Sequence, residues 1–224
     1  MRNLTLLALL IFITSCDSAQ KPQKAIPDGM VGLIGYGSLT SQKQMAIQLG
    51  KPYEGEVEIV HLEGYQRTWS ATTPNEIEFP PKGDLIRCLL KGDSIYPNKL
   101  SVLNIRKNDS VAINCCFFII EEKDLLLLDK TEKGYKRIEV TDKIQEFDVS
   151  EGKVWAYQAM EEFTEYPKED GSYNFVLPNV YLEFLEAGFA ELGETYRTEF
   201  YQTTLPIPKS VVLECSIVAP PKED

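Results

Sequence analysis

The run 111–120, VAINCCFFII, is apolar on both faces except at Asn114, and it limits the fold more than any other segment of the chain. A strand with one face in water alternates between apolar and polar residues. A strand that does not alternate has both faces covered, so 111–120 is predicted as a central strand with packing on each side. Around it, 31–36 is a short apolar strand running into a glycine turn at Gly35, Tyr36, Gly37 and Ser38. Ser41 with Gln44 three residues later makes a capping box, Met45 and Leu49 share a helical face, and Gly50 stops the helix. Segments 56–62, 65–71, 85–90 and 100–105 have strand length and are separated by Gly, Pro, Asn or Asp, which implies a meandering sheet. Residues 121–133 set four leucines among charges and read as a short helix stopped at Gly134, and strands resume at 137–140 and 154–160. Asn179 is positioned to cap a helix in which Tyr181, Leu182, Leu185, Phe189 and Leu192 fall at helical spacing before Gly193, and a second helix follows over 194–203. Strands outnumber helices without βαβ alternation or repeats, so the fold class is α+β.

The front of the chain is an address rather than part of that fold. Arg2 precedes an apolar stretch over 4–13, about ten residues long, which fits a signal sequence and is too short to span a bilayer. Ile13, Thr14 and Ser15 then bring small residues up to Cys16, as in a lipobox, where the cysteine is lipidated after cleavage. The expected organisation is a signal peptide over 1–15, a lipid-anchored spacer over 16–29, one folded domain over 30–219 and a tail over 220–224. The polar stretch 17–28, with Pro22 and Pro27, carries too little apolar surface to fold alone. The expected location is the cell envelope of a bacterium, facing the periplasm or the outside, with the membrane contacted through the lipid on Cys16.

Charge and cysteine usage exclude several function classes. A formal net charge of −11 without any Lys/Arg-rich run removes the attraction on which nucleic-acid binding depends. Cys88, Cys115, Cys116 and Cys215 show no CxxC spacing and His61 is the only histidine, so no metal site is expected. Export would permit disulfides, but all four cysteines lie in apolar stretches and are expected as buried free thiols. His61 sits between Val60 and Leu62 in a strand-like run and reads as a packed or surface histidine rather than a catalytic base. The glycines at 32, 35 and 37 lack the third glycine of a dinucleotide loop, since position 40 is Thr40.

The turn at Gly35, Tyr36, Gly37, Ser38 and Leu39 can present successive backbone N–H groups to an anionic oxygen, or it can be a turn that needs glycine for a positive φ. Three further segments accompany it in order: 62–69, LEGYQRTW; 128–137, LDKTEKGYKR; and 181–204, with Gly188, Gly193, Phe200 and Thr203. Together the four resemble the γ-glutamylcyclotransferase family, over nearly the whole of the expected domain. That resemblance implies a small mixed β-barrel flanked by helices, with a substrate pocket at one barrel end. It also implies a reaction in which the α-amine of a γ-glutamyl group attacks its own side-chain amide, giving 5-oxoproline and a free amine.

The resemblance assigns Glu132 as the catalytic acid and base. Its neighbourhood, at the end of an apolar-clustered helix, suits a carboxyl with a raised pKa. Backbone groups of Tyr36, Gly37, Ser38 and Leu39 would hold the substrate carboxylate or the developing oxyanion, and Tyr135 would line the pocket. Arg67 and Arg137 are candidates for a carboxylate clamp or for structural cover, and Trp155 and Tyr157 read as core. Cyclisation needs no cofactor, so the expected partner is a small γ-glutamyl compound. The reading from a different class is a non-catalytic envelope lipoprotein that binds a ligand in the same pocket.

Overall fold

The computed structural model describes residues 20–75, 84–166, 174–207 and 209–219; the 1–15 segment and Cys16 lie outside these. In chain order the elements are β1 (Gln23–Ala25), β2 (Met30–Gly35), α1 (Gln42–Leu49), β3 (Glu58–Pro74), β4 (Leu85–Leu90), β5 (Asp93–Ile95), β6 (Lys99–Glu121), α2 (Glu122–Thr131), β7 (Tyr135–Glu139), β8 (Asp148–Glu151), β9 (Val154–Ala159), β10 (Leu177–Pro178), α3 (Asn179–Leu192), α4 (Glu194–Thr203) and β11 (Val212–Val218). The class is α+β. A five-stranded mixed sheet, ordered β3-β6-β2-β9-β7, curls into a half-barrel against which the helices pack.

The run 111–120 is the second half of β6, paired antiparallel with β3 on one side and with β2 on the other. Residues from Ile113 to Phe118 are all buried, which is why the stretch does not alternate. Phe117 and Phe118 are among its largest buried side chains, each stabilising the fold by roughly 2–3 kcal/mol. The sheet is not a meander, because β2 also pairs parallel with β9, far along the chain. Nor are 56–62 and 65–71, or 100–105 and 111–120, separate strands. The turn residues between them form bulges in two long strands: Gly64, at φ +78°, sits where the β3–β6 register slips.

Local signals at helix ends act as the residue types dictate, with one exception. Ser41 Oγ accepts the Gln44 N–H at 3.2 Å, and Gly50 closes α1 in the left-handed conformation at φ 64°. Asn179 does not cap α3. Pro178 occupies the cap position, and the Asn179 side chain instead accepts the Cys215 N–H at 2.7 Å and donates to Glu183. Pairing also begins upstream of residue 30, since β1 lies parallel to β8 and Ile26 is buried against the core.

A second sheet, β10-β11-β4-β5, corrects the expectation for the cysteines. Cys88 and Cys215 face each other across the antiparallel β4–β11 pair and form a disulfide, whereas Cys115 and Cys116 are free and buried. Burial pushes both free thiols up to about 12, which leaves them inert.

Two polar clusters fix α4 to the sheet. Arg67, fully buried on β3, donates to the Phe200 carbonyl at 3.0 Å, to Thr204 Oγ1 at 3.0 Å and to Asn114 Oδ1 at 2.5 Å, and its guanidinium stacks on the Phe200 ring. Asn114, the single polar residue of the central run, completes the set by donating to the Tyr196 carbonyl at 2.8 Å. Nearer the surface, His61 is bracketed by Glu146 and Glu199, each 2.6 Å from one ring nitrogen.

Candidate active site

β2 delivers the chain to the end of the half-barrel and stops at Gly35, where residues 35–39 fold back sharply. A Cβ on Gly35 would lie 2.1 Å from the Leu39 carbonyl oxygen, so this position is closed to any other residue. Neither Gly35 nor Gly37 has positive φ. Close approach, rather than backbone conformation, is what requires glycine at Gly35. Gly188 acts likewise from α3, since a Cβ there would collide with Thr40 Oγ1 at 2.2 Å and push the helix off the loop. Among the described residues, no acceptor is recorded for the backbone N–H groups of Gly37, Ser38 and Leu39.

Opposite the loop, α2 ends at Thr131 because Gly134, at φ +88°, turns the chain into β7. Glu132 is the C-cap residue, its N–H bonded to the Leu128 carbonyl at 2.7 Å and its own carbonyl accepting the Tyr135 N–H at 3.0 Å. That turn brings the Glu132 side chain into a narrow cleft, partly open to solvent, which it shares with Gly35, Tyr36, Gly37, Ser38 and Leu39. Ile34, Leu103, Tyr135, Tyr157 and Tyr181 supply the remaining wall. The residue as a whole is half-buried, but the carboxyl end is crowded by protein, and this desolvation raises it to about 7 with no cation opposing the shift. A carboxyl at that value exchanges a proton readily in either direction near neutral pH.

The phenols around Glu132 are held by backbone. Tyr36 Oη donates to the Tyr157 carbonyl at 2.7 Å, Tyr135 Oη to the Leu103 carbonyl at 2.6 Å, and Tyr181 Oη accepts the Leu103 N–H at 3.3 Å. Leu103 can serve two tyrosines because the β3–β6 register slips between Thr68 and Ala71, which takes it out of the β3–β6 pairing at that point. Burial raises the pKa of Tyr36, Tyr135 and Tyr181, with the Glu132 carboxylate adding to it, so all three stay protonated.

The cleft therefore brings together Glu132, Tyr135 and the loop of Tyr36, Gly37, Ser38 and Leu39. It does not include either arginine. Arg67 is consumed by its contacts to α4, and Arg137 pairs with Asp129 at 3.2 Å and lies over Trp155 on the outside of β9. Tyr157 is a cleft residue rather than simple core, as is Tyr181, and sequence periodicity had no means of separating the two roles. Among the described residues no group of three or more His, Cys, Asp or Glu could hold a metal ion, and no helix is long and apolar enough to cross a membrane.

No protein-family model and no curated protein matches this sequence. Solved structures do resemble the fold. A gamma-glutamyl cyclotransferase aligns at 12% identity and a TM-score of 0.48, covering 81% of this chain and 95% of its own. An uncharacterized human protein aligns at 12% identity and a TM-score of 0.48, covering 82% of this chain and 96% of its own. A glutathione-specific gamma-glutamyl cyclotransferase from yeast aligns at 12% identity and a TM-score of 0.46, covering 79% of this chain and 93% of its own.

Proposed function

We propose that the protein is a γ-glutamyl cyclotransferase that converts an extracytoplasmic γ-glutamyl amide or peptide to 5-oxoproline and a free amine. The observation that carries this reading is the desolvated Glu132 carboxyl, near pKa 7, in one cleft with the backbone of Tyr36, Gly37, Ser38 and Leu39. The α-ammonium of the substrate gives a proton to the Glu132 carboxylate, and the neutral amine then attacks the γ-carbonyl carbon. Holding amine and carbonyl of one molecule in contact removes most of the entropic barrier to ring closure. As the tetrahedral intermediate collapses, Glu132 gives that proton to the departing nitrogen and the C–N bond to it breaks. The regenerated carboxylate takes the second proton from the ring nitrogen to leave the neutral lactam, and the freed amine then carries that proton away. Loop N–H groups hold the substrate's α-carboxylate. No step consumes a nucleotide or transfers an electron.

The Cys88–Cys215 disulfide supports an address outside the cytoplasm, because structural disulfides persist in oxidising compartments. The lipobox at Cys16 supplies the anchor in this reading. Replacing Cys16 by Ser should move the protein from the membrane fraction to the soluble fraction of the envelope. Retention in the membrane would remove the lipid anchor from the proposal.

The test of the reaction is 5-oxoproline release from a panel of γ-glutamyl amines and dipeptides, with Glu132→Gln as control. Wild type should turn over at least one of them and Glu132→Gln should lose about a thousandfold in kcat. The acidic limb of the wild-type rate profile should have its midpoint near 7. Calorimetric binding with no product from any compound would leave the ligand-binding lipoprotein instead.

A further inference from the structure

A phenol has one proton to give, and the four phenols of the cleft dispose of theirs differently. Tyr36 and Tyr135 donate to the backbone carbonyls of Tyr157 and Leu103, and Tyr157 donates to Asp129 Oδ1 at 2.9 Å, a carboxylate that Arg137 holds by ion pairing. Carbonyls and carboxylates only accept, so these three hydroxyls have nothing but lone pairs left for a ligand. Tyr181 is arranged the other way. Its oxygen accepts the Leu103 N–H, and among the described residues no acceptor is recorded for its own proton. That oxygen lies 3.6 Å from where a Cβ on Gly37 would stand, beside the loop and facing the same cleft as Glu132.

We propose that Tyr181 is the single donor phenol of the site, hydrogen-bonding the γ-carbonyl oxygen of the substrate and tightening that bond as the oxygen becomes an anion. The proposal rests on the cyclotransferase reading above. Tyr36, Tyr135 and Tyr157 take the complementary part and accept N–H groups of the substrate. A carboxylate, with two oxygens, suits the successive N–H groups of the loop, whereas one carbonyl oxygen suits one hydroxyl. Burial of the phenol serves this role twice, keeping Tyr181 protonated and strengthening its hydrogen bond by lowering the local dielectric.

Kinetics and binding together test it. Tyr181→Phe should lower kcat about a hundredfold and raise KM by no more than about tenfold, while Tyr36→Phe and Tyr135→Phe, which lose only acceptors and a backbone tether, should lose less than about tenfold in kcat. Calorimetry with 5-oxoproline and with cyclopentanecarboxylate, which has the ring and carboxylate but no lactam, isolates the carbonyl contact without turnover. Tyr181→Phe should bind 5-oxoproline about five- to tenfold more weakly and cyclopentanecarboxylate unchanged. Equal weakening of both ligands would assign Tyr181 to the carboxylate or to packing and overturn the proposal. So would a wild type with no preference for 5-oxoproline, whatever its activity. A wild type that shows the Tyr181-dependent preference but releases no 5-oxoproline overturns the reaction and leaves the donor assignment standing.

Discussion

Arg67 and Glu132 are both charged side chains taken out of water, and the protein treats them in opposite ways. Arg67 is surrounded by acceptors at the α4 junction, with only Nε unpartnered among the described residues. Glu132 meets phenols and leucine in the cleft, and among the described residues no cation opposes its raised pKa. A buried charge that is satisfied holds elements together; one that is left unsatisfied is poised to change its protonation state. The difference separates a structural site from a chemical one without reference to any substrate.

The largest effect that tests this contrast is at Arg67. Arg67→Met should strip the Phe200 and Asn114 oxygens of their donor and cost roughly 3–5 kcal/mol in denaturant unfolding. Arg67→Lys should recover only part, since a point charge cannot reproduce the fork. Any activity loss should follow the unfolded fraction. Wild-type stability with Arg67→Met would erase the distinction.

Glu132→Gln should do the reverse. The native carboxyl holds its proton up to about pH 7 whereas the unfolded chain releases it near 4.5, so wild-type stability falls as pH rises between the two values. That gap corresponds to roughly 3 kcal/mol. The variant should therefore be more stable than wild type by up to about this amount at pH 8 and no more stable at pH 4, measured by denaturant midpoints at both. A gain independent of pH would mean that packing, not desolvation of the charge, governs the site.

His61 lies between the extremes and gives the smallest effect. Burial lowers its pKa, but the carboxylates of Glu146 and Glu199 outweigh that and the net direction is upward. Its contribution is then complete below the ordinary histidine range and disappears as pH rises through the raised value. His61→Gln should cost under about 1 kcal/mol at pH 6 and nothing at pH 9, because the cluster is partly exposed and screened. An equal loss at both values would show that the charge plays no part.

The sequence speaks clearly about local geometry and poorly about contacts between distant segments. The buried run 111–120, the cap at Ser41 and the helix over 194–203 are legible because each depends on neighbouring residues alone. Sheet order is not, since the parallel β2–β9 pairing joins remote segments and leaves no local trace. The same holds for Cys88 and Cys215, whose partnership depends on strand register. Tyr157 reads as core and Tyr181 only as one member of a helical stripe, because an aromatic residue at strand or helix spacing has one pattern whether it faces leucine or a cleft. Glu132, one of 34 acidic residues, is singled out only by the motif around it. What distinguishes it physically, desolvation with no counter-charge among the described residues, belongs to the packed state. Even the loop glycines are legible as a turn and misleading about its cause.

The disulfide between β4 and β11 closes residues 88–215 into a covalent ring, and Leu103, Glu132, Tyr135, Tyr157 and Tyr181 all fall inside it. Residues 35–39 fall outside. A protease that cut the chain once within the ring would release no fragment until a reductant was added, and the carboxyl and its phenols would remain on one molecule. One cut between residues 39 and 88 would instead leave the loop attached to the rest by packing alone. Under proteolysis in an oxidising setting, Glu132, Tyr135, Tyr157 and Tyr181 are covalently insured, whereas the loop with Tyr36 is not.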